Sequence, residues 1–208
     1  MKLKIAIFIS GRGSNLENII HAIKNNKLKN IEIVCVFSNK SNAYGLEIAK
    51  LANIPTILLE SGHFGEERKK YEAEVLKLLI PFSPDLICLA GFMRVLTSDF
   101  ISQFPDKIIN IHPSILPSFK GVDGQKQAYD YGVKITGCTT HYVVPEIDAG
   151  KIIAQASITT ENCDDEKKLS AKILKAEHYL YLYTLEKLSG GDFESLKEEG
   201  WKERILIN

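Results

Sequence analysis

Two polar side chains suited to stabilising an oxyanion stand in the segment Ile108–Pro117. A single apolar residue separates Asn110 from His112, so both side chains lie on one face if the segment forms a strand. An amide supplies a fixed hydrogen-bond donor, and an imidazole can donate a proton or carry a balancing charge. The pair therefore predicts chemistry at a carbonyl group that becomes negatively charged. The alternative is a buried histidine that is satisfied by a loop carbonyl.

A carboxylate that could assist this imidazole lies far along the chain, in the short link Glu146–Gly150. An ionised Asp148 beside His112 would orient the ring and favour its charged form. Sequence spacing alone does not bring the two together, and an Asp-x-Gly turn without a catalytic role is the alternative. His21, His63 and His178 lie on predicted helices or loops without suitable neighbours, and we assign His141, inside an apolar run, a structural role.

A glycine-rich loop, Gly11–Asn15, joins an apolar run to a helical pattern. The free N–H groups at the start of a helix and the positive end of its dipole favour an anion. The loop has no P-loop lysine, Leu16 replaces the third glycine of a dinucleotide motif, and Ser38-Asn39 replaces the ribose-binding acid. The loop therefore predicts a phosphate site, and a tight turn with a polar helix cap is the alternative.

Apolar runs that alternate with helical spacing would position these groups. The pattern predicts strands at 5–9, 31–37, 56–59, 86–90 and 107–111, and helices at 16–24, 44–52, 66–79 and from 97–99 through 103. This alternation is typical of an α/β protein with a mostly parallel, twisted sheet and helices on both faces. Ligands bind at the carboxyl ends of such strands, where both the glycine loop and the Asn-x-His pair fall.

The pattern changes in the last third of the chain. Strands are predicted at 135–144 and 152–160, and the link between them is too short for a crossover, so we expect antiparallel neighbours. A long helix is predicted at 164–188, capped by Asp164 or Asp165 and stopped by Gly190-Gly191, with a last strand at 201–207. No repeat or linker divides the 208 residues, so we expect a single domain, 1–208.

The composition restricts the classes of function. Lys and Arg total 26 and Asp and Glu total 26, a balance that argues against nucleic-acid binding through bulk charge. No apolar run is long enough to span a membrane. The cysteines are far apart in sequence and mostly lie in apolar runs, which indicates reduced core residues rather than a metal site or disulfides (Cys35, Cys88, Cys138, Cys163). We expect a cytoplasmic protein without nucleic-acid or membrane partners.

Seven segments occur in an order that is typical of one enzyme family. They are Ile9–Leu16, Val36–Asn39, Leu89–Arg94, Asn110–Ser114, Leu116–Gly121, Gly137–His141 and Asp148–Gly150. Together they resemble the phosphoribosylglycinamide formyltransferase family, folate-dependent enzymes of purine synthesis, from residue 3 to about residue 188. The resemblance implies a Rossmann-like formyltransferase fold, as a monomer or homodimer. It also implies transfer of a formyl group from the co-substrate 10-formyltetrahydrofolate to the amine of glycinamide ribonucleotide.

The resemblance also implies roles for individual residues. Asn110, His112 and Asp148 match the catalytic trio of the family, and no metal is expected. Substrate binding falls to Gly13, Ser14 and Asn15 for the phosphate and to Glu177 for the ribose. Arg68 is expected to meet the acidic end of the folate. The rest of the folate is expected to contact two segments and Asn110. These residues are Met93, Arg94, Val95, Leu96, Asn110, Val144, Pro145, Glu146, Ile147 and Asp148.

Gln125 departs from the family pattern, because many relatives carry a histidine there; glutamine can hydrogen bond but does not titrate. Two alternative functions stay open. Formyltetrahydrofolate deformylase uses the same trio with water as the acceptor, but usually carries an N-terminal regulatory domain, for which a first strand at residue 3 leaves no room. A nonenzymatic module that binds a nucleotide phosphate would bind its ligand without needing His112.

Overall fold

The computed structural model describes residues 1–64, 67–191 and 205–206. It divides into two compact units, Met1–Ile109 and Asn110–Asn208. The organisation as a single domain stays a prediction. Among the described helices, none combines the length and the apolar character needed to cross a bilayer.

The first unit alternates strands and helices as predicted. Its elements are β1 (Leu3–Ile9), α1 (Ser14–Lys24), β2 (Ile31–Ser38), α2 (Gly45–Leu51), β3 (Thr56–Leu58), α3 (Arg68–Leu79), β4 (Leu86–Leu89), α4 (Ser98–Ser102) and the start of β5 (Ile108–His112). The strands run in the order β3-β2-β1-β4-β5, and the pairs that β1 makes with β2 and β4 are parallel. Ile5–Ile9 are all fully buried, which explains the unbroken apolar run of β1.

The second unit starts within β5 and is antiparallel where the sequence predicts it. Its elements are α5 (Gly124–Tyr131), β6 (Ile135–Tyr142), β7 (Ile152–Thr159), α6 (Glu166–Leu188) and β8 (Ile205–Leu206), with the strand order β5-β6-β7-β8. β6 and β7 pair antiparallel, with Cys138 opposite Ala156. Helix α6 packs on both strands and buries Leu169, Ile173 and Leu180 on one stripe.

The structure confirms the mostly parallel α/β sheet and its antiparallel end, and it adds one helix that the sequence pattern did not predict. Helix α5 escaped prediction because only Gly124 and Ala128 of its residues are buried, so it has no apolar stripe. Asp165 caps α6 by accepting a hydrogen bond from the Lys168 N–H, which decides between the two predicted caps. Of the strand predicted at 201–207, only residues 205–206 are described, and they form β8; the rest lies outside the described residues.

Candidate active site

A carboxylate between two imidazoles lies at the centre of the candidate site in the second unit. Asp148 Oδ2 is 3.3 Å from His112 Nδ1, and Asp148 Oδ1 is 3.5 Å from His141 Nε2. Asn110 Nδ2 lies 3.4 Å from the same His141 nitrogen. The structure therefore brings together the three residues expected to be catalytic, although they come from β5 and from the β6–β7 link. We call these four residues the Asp148 cluster.

The position of Asp148 depends on an unusual backbone in the β6–β7 link. Its φ of 49° is left-handed, a conformation that aspartate tolerates better than most residues. Two residues later, a Cβ on Gly150 would stand 1.7 Å from the Tyr142 carbonyl oxygen, so only glycine fits there. That carbonyl accepts a hydrogen bond from His141 Nδ1 at 2.9 Å. The Asp-x-Gly turn is therefore part of the structure that holds the cluster.

Both ring nitrogens of His112 face groups that accept hydrogen bonds. Nδ1 faces the Asp148 carboxylate, and Nε2 lies 2.8 Å from the carbonyl oxygen of Phe119. A backbone carbonyl can only accept, so both contacts are hydrogen bonds only when each nitrogen carries a hydrogen. Nε2 therefore carries a hydrogen, and Nδ1 faces the carboxylate. The His112 side chain is only 5% exposed, so this contact lies in a site largely shielded from water.

Asp148 is held in its ionised form. Burial raises the pKa of this carboxyl group, but the hydrogen bonds from His141 and from the Gly121 N–H, together with the charges of both imidazoles, outweigh burial and lower it. The Gly121 N–H donates to Asp148 Oδ2 at 2.8 Å. An ionised carboxylate in this position orients the His112 ring and would stabilise it if it becomes charged.

His141 is the member of the cluster that the sequence analysis missed. Its Nδ1 donates to the Tyr142 carbonyl, so its Nε2 either accepts from the Asn110 amide or donates to Asp148. The ring therefore lies between Asn110 and the carboxylate and bonds to one of them at a time, depending on whether Nε2 carries a hydrogen. The available signal was the Thr-x-His spacing on β6, which repeats the Asn-x-His alternation on β5 and points His141 to one face with Thr139.

The glycine loop of the first unit starts α1 without a side-chain cap. Gly13 has a φ of 78°, and a Cβ at this position would stand 2.7 Å from Gly45 Cα, so both backbone conformation and close approach require glycine. Gly13, the N-cap residue of α1, has no side chain to cap the helix, and its carbonyl accepts the first helical hydrogen bond from the Glu17 N–H. Gly13 and Asn15 are buried and Ser14 is half-buried, as in a loop that encloses a small anion.

The segment 93–96 of the first unit, expected at the folate, is irregular, with a bend at Arg94, and is partly exposed. Met93 and Val95 are exposed, whereas Leu96 is buried. Within the described part of the chain, the backbone N–H and C=O groups of Arg94 and Leu96 make no hydrogen bond. Arg68 is exposed, and its Nη2 donates to the Val95 carbonyl at 2.6 Å. Its role at the acidic end of the folate stays a prediction.

The remaining predicted site residues lie in the second unit. Val144, Pro145, Glu146 and Ile147 form the exposed side of the link that carries Asp148. Glu177 is buried on α6. It is close enough to Cys138 on β6 that its charge adds to burial in raising the pKa of that thiol, so Cys138 stays a neutral core residue. Gln125 is half-buried and Asp123 exposed on α5 and its cap, and no contact of either with the cluster is observed among the described residues.

The fold and the cluster define a class before any relative is considered: a Rossmann-like α/β protein whose site is suited to stabilising a negatively charged oxygen. The family model for formyl transferases matches residues 3–185, and the chain belongs to this family. The phosphoribosylglycinamide formyltransferase of Escherichia coli strain K12 is 36% identical over 199 residues, which cover 96% of this chain and 93% of that protein.

Two further relatives support the same family. The crystal structure of phosphoribosylglycinamide formyltransferase from Brucella melitensis superposes with a TM-score of 0.85 at 41% identity, covering 92% of this chain and 98% of that one. The trifunctional purine biosynthetic protein adenosine-3 of Gallus gallus is 42% identical over 190 residues, or 91% of this chain. The matched region is only 19% of that protein, so the chain spans about a fifth of the trifunctional relative.

Proposed function

We propose that the protein transfers the formyl group of 10-formyltetrahydrofolate to the amine of glycinamide ribonucleotide, forming formylglycinamide ribonucleotide on the route to purines. The observation that carries this proposal is the Asp148 cluster: an ionised carboxylate 3.3 Å from a shielded His112, with Asn110 and Asp148 both beside His141 Nε2. The names of relatives that share nearly the whole chain support formyl transfer to the same acceptor.

In the proposed reaction the substrate amine attacks the formyl carbon. A new C–N bond forms, and the electron pair of the C=O bond moves to the oxygen, which becomes an oxyanion. The Asn110 amide and the cationic His112 stabilise this charge, a contribution worth on the order of 10²–10³-fold for one such donor. The C–N bond to the folate then breaks, and the proton that the amine releases passes to the folate nitrogen, with Asp148 and a water molecule as the relay.

The contact between His112 and Phe119 limits how His112 can act. Nε2 already donates to the Phe119 carbonyl at 2.8 Å, and Nδ1 faces Asp148. In this arrangement the ring stabilises an oxyanion through its charge. A direct hydrogen bond from Nε2 to the formyl oxygen requires the segment around Phe119 to release the ring. The same segment also touches Asp148 through the Gly121 N–H, so release would loosen both partners of His112.

We assign binding roles in the two units separately. The start of α1 binds the substrate phosphate through the backbone N–H groups of Gly13, Ser14 and Asn15 and through the side chain of Asn15. Glu177 binds the ribose. The free backbone groups of Arg94 and Leu96 bind the hydrogen-bonding edge of the pterin ring, with Met93 and Val95 as apolar walls. Val144–Asp148 and Asn110 contribute to the same co-substrate, and Arg68 to its acidic end.

The remaining expectations form part of this proposal. The family model runs through both units, which supports one formyltransferase domain. A cytoplasmic location, a monomer or homodimer, and the lack of a metal and of nucleic-acid or membrane partners stay predictions.

The decisive experiment mixes 10-formyltetrahydrofolate with glycinamide ribonucleotide and follows release of the folate by absorbance, with the formylated product identified by mass spectrometry. We expect turnover that requires both substrates. Folate release with water alone would instead indicate a deformylase. Binding of glycinamide ribonucleotide without turnover, unchanged in His112→Ala, would indicate a nonenzymatic phosphate-binding module.

A further inference from the structure

The segment 91–97, which links β4 to α4, is fixed at its first end by β1. The Met93 N–H donates to Ser10 Oγ at 2.8 Å, and the Ser10 N–H donates to the Gly91 carbonyl at 3.1 Å. Ser10 is itself buried and donates its hydroxyl hydrogen to Asn39 Oδ1. The backbone is therefore held immediately before Arg94.

One face of α3 contacts the middle of the same segment. Arg68 and Tyr71 are three residues apart and so lie on one side of the helix. The guanidinium of Arg68 donates to the Val95 carbonyl, and the guanidinium carbon of Arg94 lies 4.7 Å from the centre of the Tyr71 ring. The arginine in each contact is exposed or half-buried, so each contact restrains the segment weakly.

Glu72, next on the same face of α3, fixes the far end of the segment with a buried carboxylate. It is 6% exposed; Oε1 accepts the Thr97 N–H at 3.0 Å, and Oε2 accepts the Thr97 hydroxyl hydrogen. A buried carboxylate is costly unless its oxygens are hydrogen bonded, and both of these go to one residue. Thr97 separately caps α4 by accepting a 3.3 Å hydrogen bond from Phe100 N–H, so the helix cap does not need Glu72.

The backbone between these two fixed points is held at both ends but keeps groups without a hydrogen bond. Met93 N–H and Thr97 N–H are both bonded to buried side chains, and between them the N–H and C=O groups of Arg94 and Leu96 are left for a ligand. A ligand bound by backbone groups needs them fixed in advance, since ordering a free segment on binding lowers affinity.

We propose that Glu72 is a positioning residue for the folate: through Thr97 it holds segment 93–96 in the conformation that binds the pterin ring. This inference rests on the proposed function. It concerns a residue that touches no substrate and acts only through the segment.

The test compares three variants in steady-state kinetics with both substrates varied. Glu72→Ala removes both bonds to Thr97. In Glu72→Gln, the amide carbonyl can still accept from Thr97 N–H while the NH2 donates to Thr97 Oγ. Lys69→Ala is the matched control, because Lys69 also joins α3 to α4, through an exposed 2.8 Å ion pair with Asp99 that does not touch segment 93–96.

We expect Glu72→Ala to raise the KM for 10-formyltetrahydrofolate by about tenfold, the effect of losing a hydrogen bond to a charged group. The KM for glycinamide ribonucleotide and kcat should stay within about twofold, and Glu72→Gln and Lys69→Ala should resemble the wild type. A purely structural role would change both KM values together, or neither, and would overturn the inference.

Two controls keep the outcome interpretable. If Glu72→Ala does not fold, as judged by circular dichroism, Thr97→Val removes the side-chain half of the same contact and should show the same selective rise in the folate KM; an unchanged folate KM there overturns the inference. Wild-type protein that transfers no formyl group would overturn the proposed function and this inference with it. Active wild type combined with an unchanged folate KM in Glu72→Ala would overturn only the role of Glu72.

Discussion

The Asp148 cluster and the loop Gly11–Asn15 are both polar, but they are built from different parts of the chain. The cluster consists of side chains that contact one another: a carboxylate, two imidazoles and an amide. The loop instead relies mainly on backbone, with a left-handed Gly13 as the N-cap residue of α1. Side chains can change their charge or move a proton, whereas backbone N–H groups offer only a fixed dipole. The cluster is therefore suited to chemistry and the loop to binding.

The largest expected effect comes from removing the imidazole of His112. His112→Ala should lower kcat by on the order of 10³-fold, because general acid–base and oxyanion stabilisation are worth about 10²–10⁴-fold. The KM for glycinamide ribonucleotide should change little, since the loop is untouched. Steady-state assays with both substrates measure this, and His21→Ala, at an exposed position on α1, is the control. Activity within tenfold of wild type would remove His112 from the chemistry.

A smaller effect is expected when Asp148 loses only its charge. Asp148→Asn keeps an oxygen that can accept the Gly121 N–H, but it removes the negative partner that favours a doubly protonated His112. We expect kcat to fall by about 10²-fold with the KM for glycinamide ribonucleotide nearly unchanged. If turnover is unaltered, the charge on Asp148 plays no part in the mechanism. A rise in the KM for glycinamide ribonucleotide alone would give the cluster the binding role that we assign to the loop.

The buried strands and the glycine loop were predictable from local sequence. Ile5–Ile9 and Leu86–Leu89 were predictable as buried strands, because a continuous apolar run of that length is compatible with few other structures. The glycine loop was recognisable because its geometry is determined by adjacent residues. The Asp148 cluster was not derivable in this way: nothing in the spacing of His112, His141 and Asp148 shows that they meet, and their convergence depends on the pairing of strands.

The same reasoning explains why the contact between His141 and Asp148 was not predicted. Its neighbours Thr139 and Thr140 are fully buried, so the β6 segment reads as core, and a histidine there looks structural. What distinguishes His141 is a contact with the β6–β7 link, and that contact requires Gly150 to approach the Tyr142 carbonyl. In the sequence, a glycine is the only sign of such a close approach between residues across a turn.

In the loop, Asn15→Ala should act mainly on binding. We expect the KM for glycinamide ribonucleotide to rise by about tenfold, while kcat and the folate KM change little, because the loop is assigned only the phosphate. The measurement is steady-state kinetics supplemented by inhibition with inorganic phosphate, which should weaken in parallel. An unaltered KM for the phosphorylated substrate would refute the phosphate site. A selective loss of kcat would mean that the loop, like the cluster, takes part in the chemistry.

The smallest expected effect is on stability, and it tests the ionisation of Asp148 without substrate. Because the pKa of Asp148 is lowered in the folded protein, the unfolded chain binds its proton more readily, and the ionised carboxylate stabilises the fold. At pH values just above the ordinary aspartate pKa of about 3.9, the free energy of unfolding of wild type should therefore exceed that of Asp148→Asn. As the pH falls through the lowered pKa, Asp148 becomes neutral like asparagine and the difference should vanish. Urea unfolding of both proteins from pH 7 downward measures this. A difference independent of pH would mean that the side-chain shape, and not the charge, holds the cluster together, and the assumption of a permanent carboxylate would then have to be abandoned.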